Sequence, residues 1–245
     1  MNTIQLAGLQ VVETVMQGHV EGFQRLYILK DTRNKRLQQL EKQARKAGVQ
    51  IQPVDKERLE KMMHGVKHQG VIADYLPENL KEEGDIAALA EQAGQKALFL
   101  VLDGVQDPHN LGACMRSAEA AGVTAVIVPK DRAADLTAVA RRSACGGAEL
   151  VPLIRVTNLA RTLRQLKDLG VWLAGTTDDA HATIHQQDLT GPLALVMGSE
   201  GEGMRRLTSE QCDYHLSIPM LGHVSSLNVS VATGVCLFEI VRQRG

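Results

Sequence analysis

From about residue 86 onward, this chain is built from short apolar runs too continuous to leave one face in water. The runs at 98–102, 125–128, 150–154, 171–175, 193–197 and 215–218 lack the one-in-two alternation of a half-solvated strand, and longer, more polar stretches separate them. Strands of that kind belong in a parallel sheet covered by helices on both faces. An α/β fold is therefore expected. The closing stretch, 228–242, distributes Val231, Val235, Leu237, Phe238 and Val241 so that a helix there would pack on two sides.

The first seventy residues read as a separate small α/β unit. Leu9, Val12, Val15 and Met16 mark a helical stripe ended by Gly18. A strand at 25–30, a polar helix at 34–47, a strand at 49–54, a helix at 56–63 and a strand at 71–75 follow. Between Pro77 and Asp85 the sequence turns acidic and aperiodic, as linkers do. The expected division is a front domain at 1–76, a linker at 77–90 and a larger domain at 91–245. Charge divides similarly. Residues 1–72 hold 12 Lys+Arg against 7 Asp+Glu, whereas the remainder holds 15 against 21. A basic front module suits an anionic partner such as RNA, although the cations at 35–46 also fit a solvated helix face. Aromatics make up only 3%, which argues against broad stacking platforms for single-stranded bases. Cys114, Cys145, Cys212 and Cys236 form no CxxC pair, so neither zinc nor a disulfide framework is expected. No signal-peptide pattern or membrane-length apolar run is visible, and a cytoplasmic protein is expected.

Three segments concentrate the chemistry, each after a predicted strand, where open α/β sheets bind ligands. In LDGVQDPHNLGACMRSAEAAG (102–122), Asn110 is placed to cap a helix. Arg116, six residues on, calls for an anion, either a phosphate or a carboxylate such as Glu119 or Glu200. In MGSEGEGM (197–204), Gly198, Gly201 and Gly203 allow close backbone approach. The spacing matches neither a Walker loop nor a dinucleotide fingerprint, which sets a nicotinamide enzyme aside. In IPMLGHVSSLNVSVA (218–232), a polar loop with Gly222, Ser225, Ser226 and Asn228 joins an apolar strand to an apolar helix. Such a loop offers an apolar slot and backbone groups for an adenosine.

Taken together, in this order and spacing, the three segments resemble the signature motifs of the SpoU (TrmH-type) RNA ribose 2′-O-methyltransferases of the SPOUT class. The resemblance covers the whole chain. The front unit, with HQGVIA at 68–73, is similar to the L30e-like RNA-binding domain of the branch that methylates a guanosine in the peptidyl-transferase loop of 23S rRNA. VPLIRVTNLARTLRQL, VMGSEGEGMRRLT and SSLNVSVATGVCLFE look like that branch rather than its tRNA-modifying relatives. Gln10 departs from the branch, which carries histidine at that point.

The resemblance implies a SPOUT-type parallel sheet with a C-terminal trefoil knot and an S-adenosyl-L-methionine site lined by Gly198, Ile218, Leu227 and Thr176. By motif, Arg116, Asn110, Glu200, Ser226 and Asn228 match the family's catalytic residues. It also implies a homodimer through the C-terminal helix, and 23S rRNA or a large-subunit precursor as partner, with no metal, membrane or DNA. Two roles are open to Arg116. The family casts it as a base, but a guanidinium with a pKa above about 12 is a poor one, and a phosphate grip with electrostatic support of a developing 2′-alkoxide is the other. The rival functions are a tRNA ribose methyltransferase and a non-catalytic RNA-binding protein.

Overall fold

The structure, a computed structural model, describes residues 3–77 and 80–245, which divide into two units, Met1–Asn79 and Leu80–Gly245. In the first unit the order is β1 (Ile4–Ala7), α1 (Leu9–Gly18), β2 (Phe23–Leu29), α2 (Lys35–Lys46), β3 (Gln50–Val54), α3 (Lys56–Met62) and β4 (Val71–Tyr75). The sheet runs β1-β4-β2-β3, with β4 antiparallel to β1 and β2, and β3 parallel to β2. Strand β1 was not anticipated; its four residues are too few to show a period. Alternation sorts β2 between two cores. Leu26 and Ile28 join Val12, Val15, Leu37 and Leu40 on one face, while Tyr27 joins Val54, Leu59 and Ile72 on the other. The stripe expected on α1 is buried throughout. Asn34 and Asp55 cap α2 and α3, accepting hydrogen bonds from the Arg36 and Arg58 amides.

In the second unit come α4 (Ile86–Ala93), β5 (Leu98–Asp103), α5 (Pro108–Ala120), β6 (Ala125–Pro129), α6 (Ala138–Ala144), α7 (Gly147–Leu150), β7 (Leu153–Val156) and α8 (Leu159–Asp168). They are followed by β8 (Trp172–Thr176), β9 (Ala182–Thr183), β10 (Leu193–Gly198), α9 (Arg206–Ser209), β11 (Tyr214–Ser217) and α10 (Val229–Arg244). The sheet, ordered β7-β6-β5-β10-β8-β11-β9, is parallel throughout. Strand β5 shows why its sequence has no polar face. Leu98, Leu100 and Leu102 pack in a cluster that includes Cys114 and Met115 of α5 and Leu237 of α10, and Phe99 and Val101 pack opposite with Ile86 of α4 and Leu163 of α8. Residues of α4 fall within the span expected as linker, yet Ile86 is fully buried.

One strand needs correction. The apolar run at 150–154 was expected to be extended, but Leu150 ends the helical turn α7 and β7 begins at Leu153. Gly147 lets that turn press onto α5, since a Cβ there would lie 2.9 Å from the Met115 carbonyl oxygen. Pro152 then stops the helix and offers its carbonyl to the Val126 amide at 2.8 Å. Apolar content alone does not separate a buried turn from a buried strand.

Helix α10 buries Thr233, Cys236, Leu237 and Ile240 and leaves Val231, Val235, Phe238 and Val241 exposed. Near its end, Glu239 accepts hydrogen bonds from Arg242 (2.7 and 2.8 Å) and Gln243 (2.9 Å). Those donors hold its carboxyl at about 2, below its ordinary 4.5.

Two outcomes are expected. Gly112→Ala would place a Cβ 2.2 Å from the Ala140 carbonyl oxygen, where α5 and α6 touch. Backbone cannot yield there, so urea unfolding should show a loss of about 1–3 kcal/mol at unchanged slope. For Glu239 the folded pKa is depressed, so its contribution is complete above about 4.5 and is lost as pH falls toward about 2. Glu239→Gln should therefore flatten the acid limb of stability between those values, which thermal melts across pH will show.

Candidate functional site

Strands β5, β10, β8 and β11 are neighbours in one parallel sheet, so the loops following Asp103, Gly198, Thr176 and Ser217 gather at one sheet edge. The glycine loop after β10 is the tightest. A Cβ on Gly198 would lie 2.2 Å from the Gly203 carbonyl carbon and 2.3 Å from the Met204 nitrogen. Ser199 and Gly203 exchange backbone hydrogen bonds at 3.0 Å, with Gly203 left-handed at φ 68. Asp103, buried at the end of β5 in register with Gly198, accepts hydrogen bonds from the backbone N (2.9 Å) and Nε (2.6 Å) of Arg205. That ion pair ties the far end of the glycine loop to the neighbouring strand. Asp103 has no expected role in the sequence analysis, although a carboxylate closing an otherwise apolar strand is the available signal.

Glu200, at the loop's tip, collects the other segments. Its Oε1 accepts from Asn228 Nδ2 (2.5 Å), Asn110 Nδ2 (3.3 Å) and the Val229 amide (3.2 Å). Asn228 Nδ2 also donates to Asn110 Oδ1 at 3.0 Å. The carboxylate thus sits at the amino end of α10, where the helix dipole favours negative charge. Asn228 is the cap of α10, its Oδ1 accepting from the Ser230 amide and hydroxyl. Asn110 is not a cap. Asp107 takes that position on α5, with Pro108 first in the helix, which frees the Asn110 side chain for the cluster.

A cavity of about 400 Å³ lies beside this cluster, and Thr176, Gly198, Glu200, Ile218, Ser226 and Leu227 all line it. Thr176 spends its hydroxyl on the Val196 carbonyl at 3.3 Å. Asp178, Asp179 and Glu202 join Glu200 in the lining, with no lysine or arginine among the lining residues. The Thr177 hydroxyl and a backbone amide keep the Asp179 carboxyl below its usual range. An acidic, partly apolar cavity of this kind favours a ligand with cationic groups and an apolar ring. The two aspartates escaped the sequence reading, although two acids directly after an apolar strand mark such a position.

Arg116 stands apart. It is exposed on α5, and among the described residues it forms no hydrogen bond or ion pair, with Glu119 and Glu200 included. Its guanidinium is open to solvent. Burial pushes the thiols of Cys114, Cys212 and Cys236 up to about 11, 12 and 12, so they are no nucleophiles at neutral pH. Among the described residues no group of three His, Cys, Asp or Glu side chains is placed to hold a metal, and no helix is long and apolar enough to cross a membrane.

Comparison with known proteins places these features. The SpoU rRNA Methylase family model matches residues 97–238, and that of the RNA 2′-O ribose methyltransferase substrate-binding domain matches residues 5–80. The chain is 56% identical over 238 residues to the 23S rRNA (guanosine-2′-O-)-methyltransferase RlmB of Pasteurella multocida, covering 97% of both chains. It is 55% identical over 237 residues, again 97% of both, to its Escherichia coli counterpart. The crystal structure of the SpoU methyltransferase AviRb from Streptomyces viridochromogenes in complex with AdoMet superimposes with a TM-score of 0.75 at 24% identity, over 99% of this chain and 90% of that one.

Asp103→Ala should release Arg205 and loosen the glycine loop. Faster amide exchange at Ser199 and Gly203, with a stability loss of about 1–3 kcal/mol, is the expected result of hydrogen-exchange and urea measurements.

Proposed function

The chain belongs to the SpoU rRNA methylase family, and from that membership we propose that it transfers a methyl group from S-adenosylmethionine to the ribose 2′-hydroxyl of a guanosine in 23S rRNA. The observation that carries this reading is the acidic cavity flanked by the Asn110–Glu200–Asn228 cluster. A cavity holding four carboxylates and no cation suits a sulfonium and an ammonium group, while Met197, Leu216 and Ile218 supply apolar wall for an adenine. The glycine loop fits too, because its backbone occupies the space that a Cβ on Gly198 would need. Gly198, Ile218, Leu227 and Thr176 are the residues assigned to hold the cofactor. When bound, S-adenosylmethionine supplies a methyl group activated by the sulfonium.

The chain's own task is to align the ribose oxygen and manage its proton. Alignment alone contributes about 7–11 kcal/mol in well-oriented reactions. Glu200 Oε1 is committed to the asparagines and the α10 amide, and its Oε2 remains to accept from a ribose hydroxyl. Asn110 and Asn228 hold that carboxylate in place, and exposed Ser226 on the cavity wall is assigned to the substrate side. Arg116, without a partner among the described residues, grips an RNA phosphate and stabilises the 2′-oxygen as its proton passes to water. A guanidinium serves that role at neutral pH without surrendering its own proton.

The finer assignments rest on the same reading. The unit Met1–Asn79 binds RNA and the unit Leu80–Gly245 carries catalysis. A knotted threading is supported by the strand order, in which β10 and β11 each insert between two strands laid down earlier. A homodimer through α10 is supported by its exposed stripe of Val231, Val235, Phe238 and Val241. An rRNA substrate makes the cytoplasm the site of action.

Arg116→Ala should lower methyl transfer to 23S rRNA about 10²–10³-fold while S-adenosylmethionine affinity, read by calorimetry, survives. Equal loss of both would make Arg116 a structural residue.

A further inference from the structure

The front unit carries a second cavity, of about 650 Å³, formed by the loop between α3 and β4 with the end of β2. Leu29, Met63 and Val66, all half-buried, give it apolar surface, and exposed Lys56 and Lys67 give it positive charge. Glu60, the one carboxylate among the described lining residues, pairs with Lys56 a helical turn away at 3.6 Å. Lys67 has no ion pair among the described residues. Lys30 adds charge at the same sheet end, because Leu29 pairs with Val54 in register and donates its amide to the Gly70 carbonyl at 2.8 Å.

The loop is held in shape rather than left loose. Gln69 takes the left-handed φ of 52, unfavourable for a residue with a side chain. Its Oε1 accepts the Leu9 amide at 3.0 Å, supplying the helix cap that Gly8 lacks. His68 Nδ1 accepts the Gly70 amide at 3.1 Å, which leaves Nε2 as the ring's donor. Such strain persists only where surrounding contacts over-determine it, and it collects at ligand sites.

We propose that this cavity receives one unstacked RNA nucleotide, its base against Leu29, Met63 and Val66 and its flanking phosphates on Lys56 and Lys67. The proposal rests on the rRNA reading above. The apolar wall has no use for a duplex backbone, and a lining without Phe, Tyr or Trp among the described residues offers no broad platform for a run of bases. The volume lies within the roughly 300–1,000 Å³ range of small-ligand sites. Sequence-specific RNA recognition commonly takes single bases splayed from loops and bulges. The cationic rim, in a unit with an excess of basic residues, matches flanking phosphates.

The test compares full-length wild type with Lys67→Glu, Val66→Gln and a charge-matched control, Lys61→Glu, which alters an exposed α3 lysine outside the cavity. Binding and methylation of a 23S rRNA fragment are measured across salt, with S-adenosylmethionine affinity as the check on folding. Lys67→Glu and Val66→Gln should raise the KM for RNA about fivefold or more. Lys67→Glu should also reduce the slope of log affinity against log salt by about 0.7, one phosphate on a single strand. Lys61→Glu should behave as wild type, and cofactor affinity should hold in all. Cavity variants that match wild type overturn the cavity site alone, as does an equal loss in Lys61→Glu or tighter competition by an acidic peptide than by RNA. A wild type that neither binds nor methylates the fragment overturns the rRNA reading itself, and the cavity proposal with it.

Discussion

One oxygen of Glu200 joins three stretches of chain that are far apart in sequence. Asn110 arrives from the first turn of α5, Asn228 and Val229 from the start of α10, and Glu200 from the glycine loop after β10. Among the described residues no lysine or arginine lines the cavity beside that carboxylate. Its charge is met by amide donors and by the amino end of a sixteen-residue helix, which favours an anion there. A cavity can therefore stay acidic without its acids being cancelled by local ion pairs.

The same economy governs the nearby arginines. Arg205 is spent on buried Asp103, so it anchors the glycine loop without neutralising the cavity. Among the described residues Arg116 enters no internal pair. Helix geometry allows this separation: Asn110 and Arg116 share α5 but lie about 600° of turn apart, so one enters the cluster while the other faces solvent. A site built this way keeps negative charge at the cavity and leaves a positive group exposed on α5.

Helix α5 can hold that post because its neighbours come unusually close. Gly112 admits the Ala140 carbonyl of α6, and Gly147 lets α7 rest on the Met115 backbone. Packing this tight transmits position with little slack. The placement of Asn110 thus depends on residues that touch no ligand.

Much of the architecture is legible in the sequence. Apolar runs such as Leu98–Asp103 named a doubly covered parallel sheet, because only burial on both faces removes the need for alternation. Motif resemblance brought Asn110, Glu200, Asn228, Gly198, Ile218 and Leu227 forward together, and the fold gathers them at one sheet edge. What stayed hidden were decisions made by partners distant in sequence. Leu150 turns helical because Gly147 meets α5 and Pro152 intervenes, Asp107 rather than Asn110 caps that helix, and Asp103 finds Arg205 a hundred residues on. Local sequence determines periodicity, capping potential and charge, since each is a property of neighbours along the chain. Which oxygen meets which nitrogen, and which arginine is left free, only tertiary packing decides, because those pairings form between segments that the chain alone does not bring within reach.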